Sequence, residues 1–248
     1  MTGTPVIQTR DLTKSYGGVA AVRGLNLSVE PNRITAFLGQ NGAGKSTTIK
    51  MLLGMVRPSC GDGTVLGKRI TDAKENCEMR RSVAYVAENK PLYGYMTVEQ
   101  TIRFASSFYS DWRTNVAKKL LNEYKLPLQR KVKSLSKGMR TKLALLLAFA
   151  RRPELLILDE PSEGLDPVGI EHLLQMLVAQ SAEGVAIFFS RARCPSSASS
   201  AIAATVSPTA VRFAHALCPN RLTAANPTKT RNSVTLFGVH RILTCQTR

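Results

Sequence analysis

Residues 39–46 read Gly39-Gln40-Asn41-Gly42-Ala43-Gly44-Lys45-Ser46, a G-x-x-x-x-G-K-S pattern. Binding a phosphate chain needs these residue types at this spacing. The glycines let the backbone wrap closely round the phosphates with its N–H groups turned inward. Lys45 is placed to reach β- and γ-phosphates, and the Ser46 hydroxyl to ligate Mg2+. Thr47 completes the candidate nucleotide-contacting set. A second constellation, Asp159-Glu160, closes the apolar run Leu155-Leu156-Ile157-Leu158. Mg2+ takes oxygen ligands and keeps several waters, so Asp159 suits direct or water-mediated contact with the metal. Glu160, one residue on, is expected on the other side of the strand, where its carboxylate orients or deprotonates an attacking water. Two shorter signals flank this pair. In Leu135-Ser136-Lys137-Gly138-Met139, Ser136 reads as the N-cap of an apolar-faced helix, and Glu163-Gly164-Leu165-Asp166-Pro167 reads as a turn with Pro in the first turn of the next helix.

These residues need strands and helices to hold them. The pattern predicts strands at Val6–Arg10, Leu25–Val29, Arg33–Leu38, Ser82–Ala87, Leu155–Leu158 and Val185–Phe189. The last three are near-continuous apolar runs, as expected of strands covered on both faces. Helical patterns fall at Lys45–Leu53, Thr97–Phe108, Asn115–Tyr124, Lys137–Ala150 and Pro167–Gln180. Strand–helix alternation predicts an α/β fold with a mostly parallel sheet. The phosphate-binding pattern then falls where it must, after an apolar strand and at the start of a helix, which adds the positive end of its dipole. Pro91 to Arg152 offers no strand and is expected to form a helical lobe set into the α/β core.

The chain has 248 residues, 44% hydrophobic and 21% charged, enough for one sizeable core and unlike a collagen, a disordered chain or a disulfide scaffold. Its formal charge of +17 suggests a nucleic-acid or anionic-membrane partner at first sight. The distribution argues otherwise. Residues 1–183 carry all 17 acidic residues and a net +9, whereas residues 184–248 hold 8 basic residues and no acid. Cys60, Cys77, Cys194, Cys218 and Cys245 are odd in number and scattered, so free cytosolic thiols are expected. The N-terminus lacks a secretory pattern, and the longest apolar run, Leu143 to Ala150, is far below the ~20 residues of a membrane span. A soluble or peripheral protein is expected.

Taken together, the phosphate loop, Ser136-x-Gly138, Asp159-Glu160 and the Asp166 turn, in this order, resemble the ATP-binding cassette (ABC) family, the nucleotide-binding domain of ABC transporters. The resemblance covers roughly residues 5–190. It implies a P-loop NTPase cassette, with a mostly parallel core sheet, an N-terminal antiparallel β region and an inserted helical lobe at about 89–152. It also implies ATP and Mg2+ as ligands and ATP hydrolysis as the activity. The family signature is usually Leu-Ser-Gly-Gly-Gln; the variant here is similar to that of bacterial ATPases serving ABC-2-type exporters. The resemblance implies a head-to-tail dimer, a homodimer or a paired cassette, in which Ser136 and Gly138 act on the nucleotide of the partner and Asp166 adds a contact. Tyr16 matches the aromatic that stacks on adenine. Glu88 stands where the family has its lobe-hinge glutamine, and is expected to approach Mg2+ and the attacking water. Asn89–Tyr95 and the helices to Tyr124 correspond to the docking region for a membrane permease. A peripheral place on the cytoplasmic face of the inner membrane follows, with no nucleic-acid partner expected. Soluble cassette ATPases acting on DNA or ribosomes usually carry two cassettes or a long coiled coil, and the roughly ninety residues between the phosphate loop and Ser136 show no sustained heptads.

The resemblance stops after Phe188-Phe189-Ser190. The family expects Ser or Thr and then a His that contacts the γ-phosphate; here Arg191 and Ala192 follow. Residues 191–248 hold 10 Ala, 8 Thr and 6 Ser with no acid and only weak hydrophobic periodicity. Three readings of this atypical tail at 191–248 compete: a basic tail for an anionic lipid or nucleic acid, which its scattered charges do not favour, a flexible linker, which its apolar residues do not favour, and the preferred one, a reading-frame shift near codon 190. Two consequences are expected: apolar surface exposed on Val185–Phe189, and weakened or absent hydrolysis with ATP binding retained.

Overall fold

Strand composition separates two sheets. The computed structural model describes residues 4–192 and the strand Ile202–Val206. In the N-terminal sheet, β1 (Ile7–Tyr16) and β2 (Val19–Leu25) form an antiparallel hairpin. It turns through Gly17 and Gly18, both at positive φ (54° and 83°), the geometry a two-residue primed turn requires. β3 (Ser28–Val29) and β5 (Cys60–Val65) also pair with β1, and β6 (Lys68–Arg69) pairs with β5.

The core sheet runs β10-β4-β9-β8-β7, where β4 is Ile34–Gly39, β7 Val83–Val86, β8 Leu155–Asp159, β9 Ala186–Ala192 and β10 Ile202–Val206. β4, β9, β8 and β7 are parallel; β10 is antiparallel to β4. The helices are α1 (Lys45–Leu52), α2 (Ala73–Ser82), α3 (Val98–Ser106), α4 (Thr114–Glu123), α5 (Lys137–Phe149) and α6 (Pro167–Ala182), with a 3-10 turn at Val132–Ser134. α3, α4 and α5 all lie between β7 and β8 in the chain.

Side chains alternate across the core strands and fill two separate hydrophobic clusters. Leu156, Leu158, Ile187 and Phe189 face the cluster built with α4, α5 and α6, including Leu120, Leu146, Phe149 and Leu173. Leu155, Ile157 and Phe188 face the other, with Phe37, Ile49 and Leu52 and with Ile7 and Val65 of the antiparallel sheet. Each such residue, fully buried, stabilises the fold by ~1.5–3 kcal/mol relative to leaving it in water. This double cover explains the continuous apolar runs of β8 and β9.

One expectation is corrected here. Val185–Phe189 is not an exposed edge: all five residues are buried, at 0–6% exposure, because β9 lies between β4 and β8. Strand order is not chain order, so the last strand of the cassette pattern is a central one. The edge beside β4 is taken by β10, whose five residues register with Ile34 to Leu38. The remaining tail, 193–201 and 207–248, on which the frame-shift expectation also rests, lies outside the described residues.

Candidate nucleotide site

The phosphate loop joins β4 to α1. Gly44 sits at φ 81° as the N-cap of α1, without a side-chain cap. A Cβ there would lie 2.2 Å from the Ala21 carbonyl oxygen, so β2 backs the loop at a distance only glycine permits. Gly42 is left-handed too (φ 83°), and the Ala43 N–H donates to Gln40 O at 3.1 Å, which curls the segment. Asn41 and Gly42 at the tip are exposed, whereas Lys45 is buried, at 6% exposure. Its ammonium donates to the carbonyls of Gly39 (2.9 Å) and Gln40 (3.1 Å) and lies 3.6 Å from Glu160 Oε1. The cation thus sits inside the curl of its own loop.

Asp159 ends β8 and is buried, with Ser190 of β9 as its cross-strand neighbour. The Ser190 hydroxyl donates to Asp159 Oδ1 and accepts from the Glu160 N–H at 3.1 Å. Glu160 does not reach its place by strand alternation, as the sequence suggested. The strand stops at Asp159, and Glu160 adopts φ 48°, a left-handed turn that brings its carboxylate to Lys45. Burial pushes the Glu160 carboxyl above the usual carboxylate range; Lys45 and Arg191 oppose that shift, and the charges of Asp159 and Glu88 add to it. Arg191, 3% exposed, donates to the Ser162 hydroxyl in the turn that follows Glu160. In the position of the expected His stands Ala192, which registers with Gly39.

Ser46, Glu88 and Asp159 line one open cleft of about 560 Å3 between the core and the helical segment. The donors suit Mg2+: one hydroxyl and one fixed carboxylate, with room for phosphate oxygens and water. Among the described residues no group of three or more His, Cys, Asp or Glu side chains could hold a metal ion by itself. Tyr16 ends β1, half exposed at 51%, with the Lys14 ammonium 5.1 Å from its ring centroid.

Ser136, Gly138 and Asp166 belong to a second cluster. Ser136 is exposed and caps α5 by accepting from the Met139 N–H at 3.2 Å; Asp166 caps α6 by accepting from the Gly169 N–H at 3.0 Å. A Cβ on Gly138 would approach the Gly164 carbonyl to 2.5 Å, so the two turns touch through glycines. Three residues were not singled out from sequence: Ser190, Arg191 and Lys90, whose ammonium lies 3.7 Å from Glu163 Oε2 in the turn that leads to Asp166. Only the strand register and the turn after Glu160 reveal what they contact.

The ABC transporter family profile matches residues 22–163. The bacitracin transport ATP-binding protein BcrA of Bacillus licheniformis is 35% identical over 188 residues, covering 75% of this chain and 61% of BcrA. Among solved structures, an ATP-binding subunit of an ABC transporter shares 34% identity with a TM-score of 0.68, covering 75% of this chain and 79% of its own. The fold also matches the ATP-binding cassette MJ0796, solved as a dimer in a post-hydrolysis state with ADP and Pi, at 21% identity and TM-score 0.67, over 74% of this chain and 87% of that one. The chain belongs to the ABC transporter family, and its fold is that of the family's ATP-binding cassette. The matched region spans about three fifths of the length of relatives such as BcrA. Among the described residues, no helix is long and apolar enough to cross a membrane.

Proposed function

We propose that this chain binds MgATP, pairs head to tail with a second cassette and hydrolyses the γ-phosphate to drive a separate ABC-2-type permease at the cytoplasmic face of the membrane. The cassette comprises residues 1–190, with its helical lobe at about 89–152. The observation that carries this reading is the convergence of Lys45 and Glu160 at the phosphate loop, with Asp159 fixed beside them by Ser190. The loop N–H groups and Lys45 hold the phosphates. Ser46 and Asp159 would hold Mg2+, which neutralises charge on the phosphate oxygens when bound. Glu160 orients the attacking water and takes its proton; a carboxyl raised by burial is a better base than an ordinary one. Glu88, exposed at the mouth of the cleft, approaches the same water and metal from the lobe side. Tyr16 stacks on the adenine. Ser136, Gly138 and Asp166 face the nucleotide of the partner cassette.

Support for a permease comes from the lobe surface. Tyr93, Tyr95, Phe104 and Phe108 are 40–67% exposed and meet ring to ring at centroid separations of 5.0–5.8 Å. Such an aromatic patch is unusual on a surface that meets only water.

A second reading, nucleotide binding without turnover, rests on Ala192 beside Gly39. Steady-state ATPase rates of the parent chain, Glu160→Gln and Ala192→His separate the two. The proposed function expects a slow parent, a loss of about 100-fold or more in Glu160→Gln with ATP binding retained, and a faster Ala192→His. A parent indistinguishable from Glu160→Gln establishes the non-catalytic reading. A parent as fast as Ala192→His shows that the imidazole is dispensable here.

A further inference from the structure

Glu163 lies in the turn between Glu160 and Asp166, and it is tied to two other segments of the same chain, the stretch after β7 and the start of α5. Its Oε2 is 3.7 Å from the Lys90 ammonium, two residues after Glu88 in the hinge segment. Its Oε1 accepts from the Lys137 ammonium, at the first position of α5 after Ser136. The Thr141 hydroxyl, one turn further along α5, donates to the Glu163 backbone carbonyl at 3.0 Å. The glycine contact between Gly138 and Gly164 brings the same two segments together at backbone level.

Lys90 is the unusual member. Its side chain is 4% exposed, its backbone adopts φ 44°, and its ammonium has no hydrogen-bond partner among the described residues. Burial pushes its pKa below the usual lysine range, with the Glu163 charge opposing that shift. A buried ammonium held by one carboxylate at ion-pair distance is costly, and a left-handed lysine adds backbone strain. Fold stability alone gives no reason to keep either feature.

We propose that Glu163 is a positioning residue that latches the hinge segment at Lys90, the start of α5 at Lys137 and the 160–166 turn into one unit, so that movement of the helical lobe changes how Ser136, Gly138 and Asp166 meet a second cassette. The inference rests on the paired-cassette reading given above. The latch sets the arrangement of the surface offered to the partner and leaves the phosphate loop of its own chain untouched. Lys90 lines the cleft beside Glu88, so the latch links the cleft to the pairing surface.

The test uses the full chain with Glu160→Gln, which slows hydrolysis and holds the ATP-bound state. Glu163→Gln, Lys90→Met and the double variant are compared with this parent. Sedimentation velocity reads ATP-driven self-association, a fluorescent ATP analogue reads binding to the single chain, and thermal unfolding without nucleotide reads the fold. The expected result is a dimer weakened about tenfold or more by either single substitution, no further weakening in the double variant, and, for Glu163→Gln, which lies outside the cleft lining, nucleotide affinity within about twofold of the parent. Lys90→Met, which removes a buried charge, unfolds at the parent temperature or above. Variants that pair as tightly as a parent that does pair overturn the latch alone. The same holds if the losses add independently, or if they follow a loss of nucleotide affinity or of thermal stability. A parent that stays monomeric in saturating ATP overturns pairing of this chain with its own copy, and the latch as a device for that pairing with it.

Discussion

Ser190 has one hydroxyl and uses it twice, toward Asp159 and toward the Glu160 backbone. It therefore fixes both members of the acidic pair at once: the carboxylate that suits a metal and the main chain that turns the Glu160 carboxylate toward Lys45. Partners of this kind orient a ligand without touching the substrate, and removing one typically costs about 10–100-fold in metal affinity or activity. Ser190→Ala is expected to fall in that range. The Mg2+ dependence of the ATPase rate checks it: the half-saturating Mg2+ concentration rises while ATP binding measured without metal is unchanged. The acidic pair itself stood out in the sequence as two carboxylates closing an apolar run. Ser190 did not, because it lies 31 residues from Asp159 and becomes its neighbour only through parallel pairing of β8 and β9.

At the scale of elements, caps decide where helices begin. Thr97 and Gln100 form a capping box at the start of α3, with the Thr97 side chain accepting at 3.1 Å and Gln100 Oε1 accepting from the Thr97 N–H at 2.9 Å. Thr97→Ala is expected to destabilise the fold by about 1 kcal/mol, a drop of about 2–4 °C in Tm measured calorimetrically. Ser136 was visible in sequence as a cap and Pro167 as a first-turn residue, and α5 and α6 begin where those signals place them; the Thr97 capping box was not read from sequence. β5 and α2 were missed for different reasons. β5 reads Cys-Gly-Asp-Gly-Thr-Val, poor in strand formers, and is a strand because it pairs with β1. α2 buries only Asn76 and Met79, which leaves no apolar stripe to read. β2 was missed although Gly17-Gly18 between strand-forming residues is a hairpin signal.

For the whole molecule, the edge beside the phosphate-loop strand matters most. β10 pairs along β4 from Ile34 to Leu38, so without it the hydrogen-bonding groups on that side of β4 lie open to another strand. A chain ending at Ala192 is expected to have a lower Tm and to scatter light on standing at concentrations where the full chain stays clear. Unchanged melting and clarity would show that β10 contributes nothing to the core. The charge follows the same division. The net +9 of residues 1–183 accompanies a cassette that handles phosphates, and the remaining +8 lies in residues without acid. Translating the other two frames of the coding DNA beyond codon 190 tests the proposed frame shift: a Ser-x-His and a normal share of acidic residues are expected in one of them.

Local chemistry was enough to locate the phosphate loop, the acidic pair, one helix cap and one first-turn proline, because each depends on residues adjacent in the chain. Their order also pointed to the family. Tertiary structure alone decided that β9 is central, since strand order follows crossover helices and not chain order. It also decided that Glu160 meets Lys45 through a left-handed turn, that Ser190 serves Asp159, and that Lys90, Lys137 and Glu163 meet. Each of these joins residues far apart in sequence, or rests on a backbone conformation that residue type does not dictate.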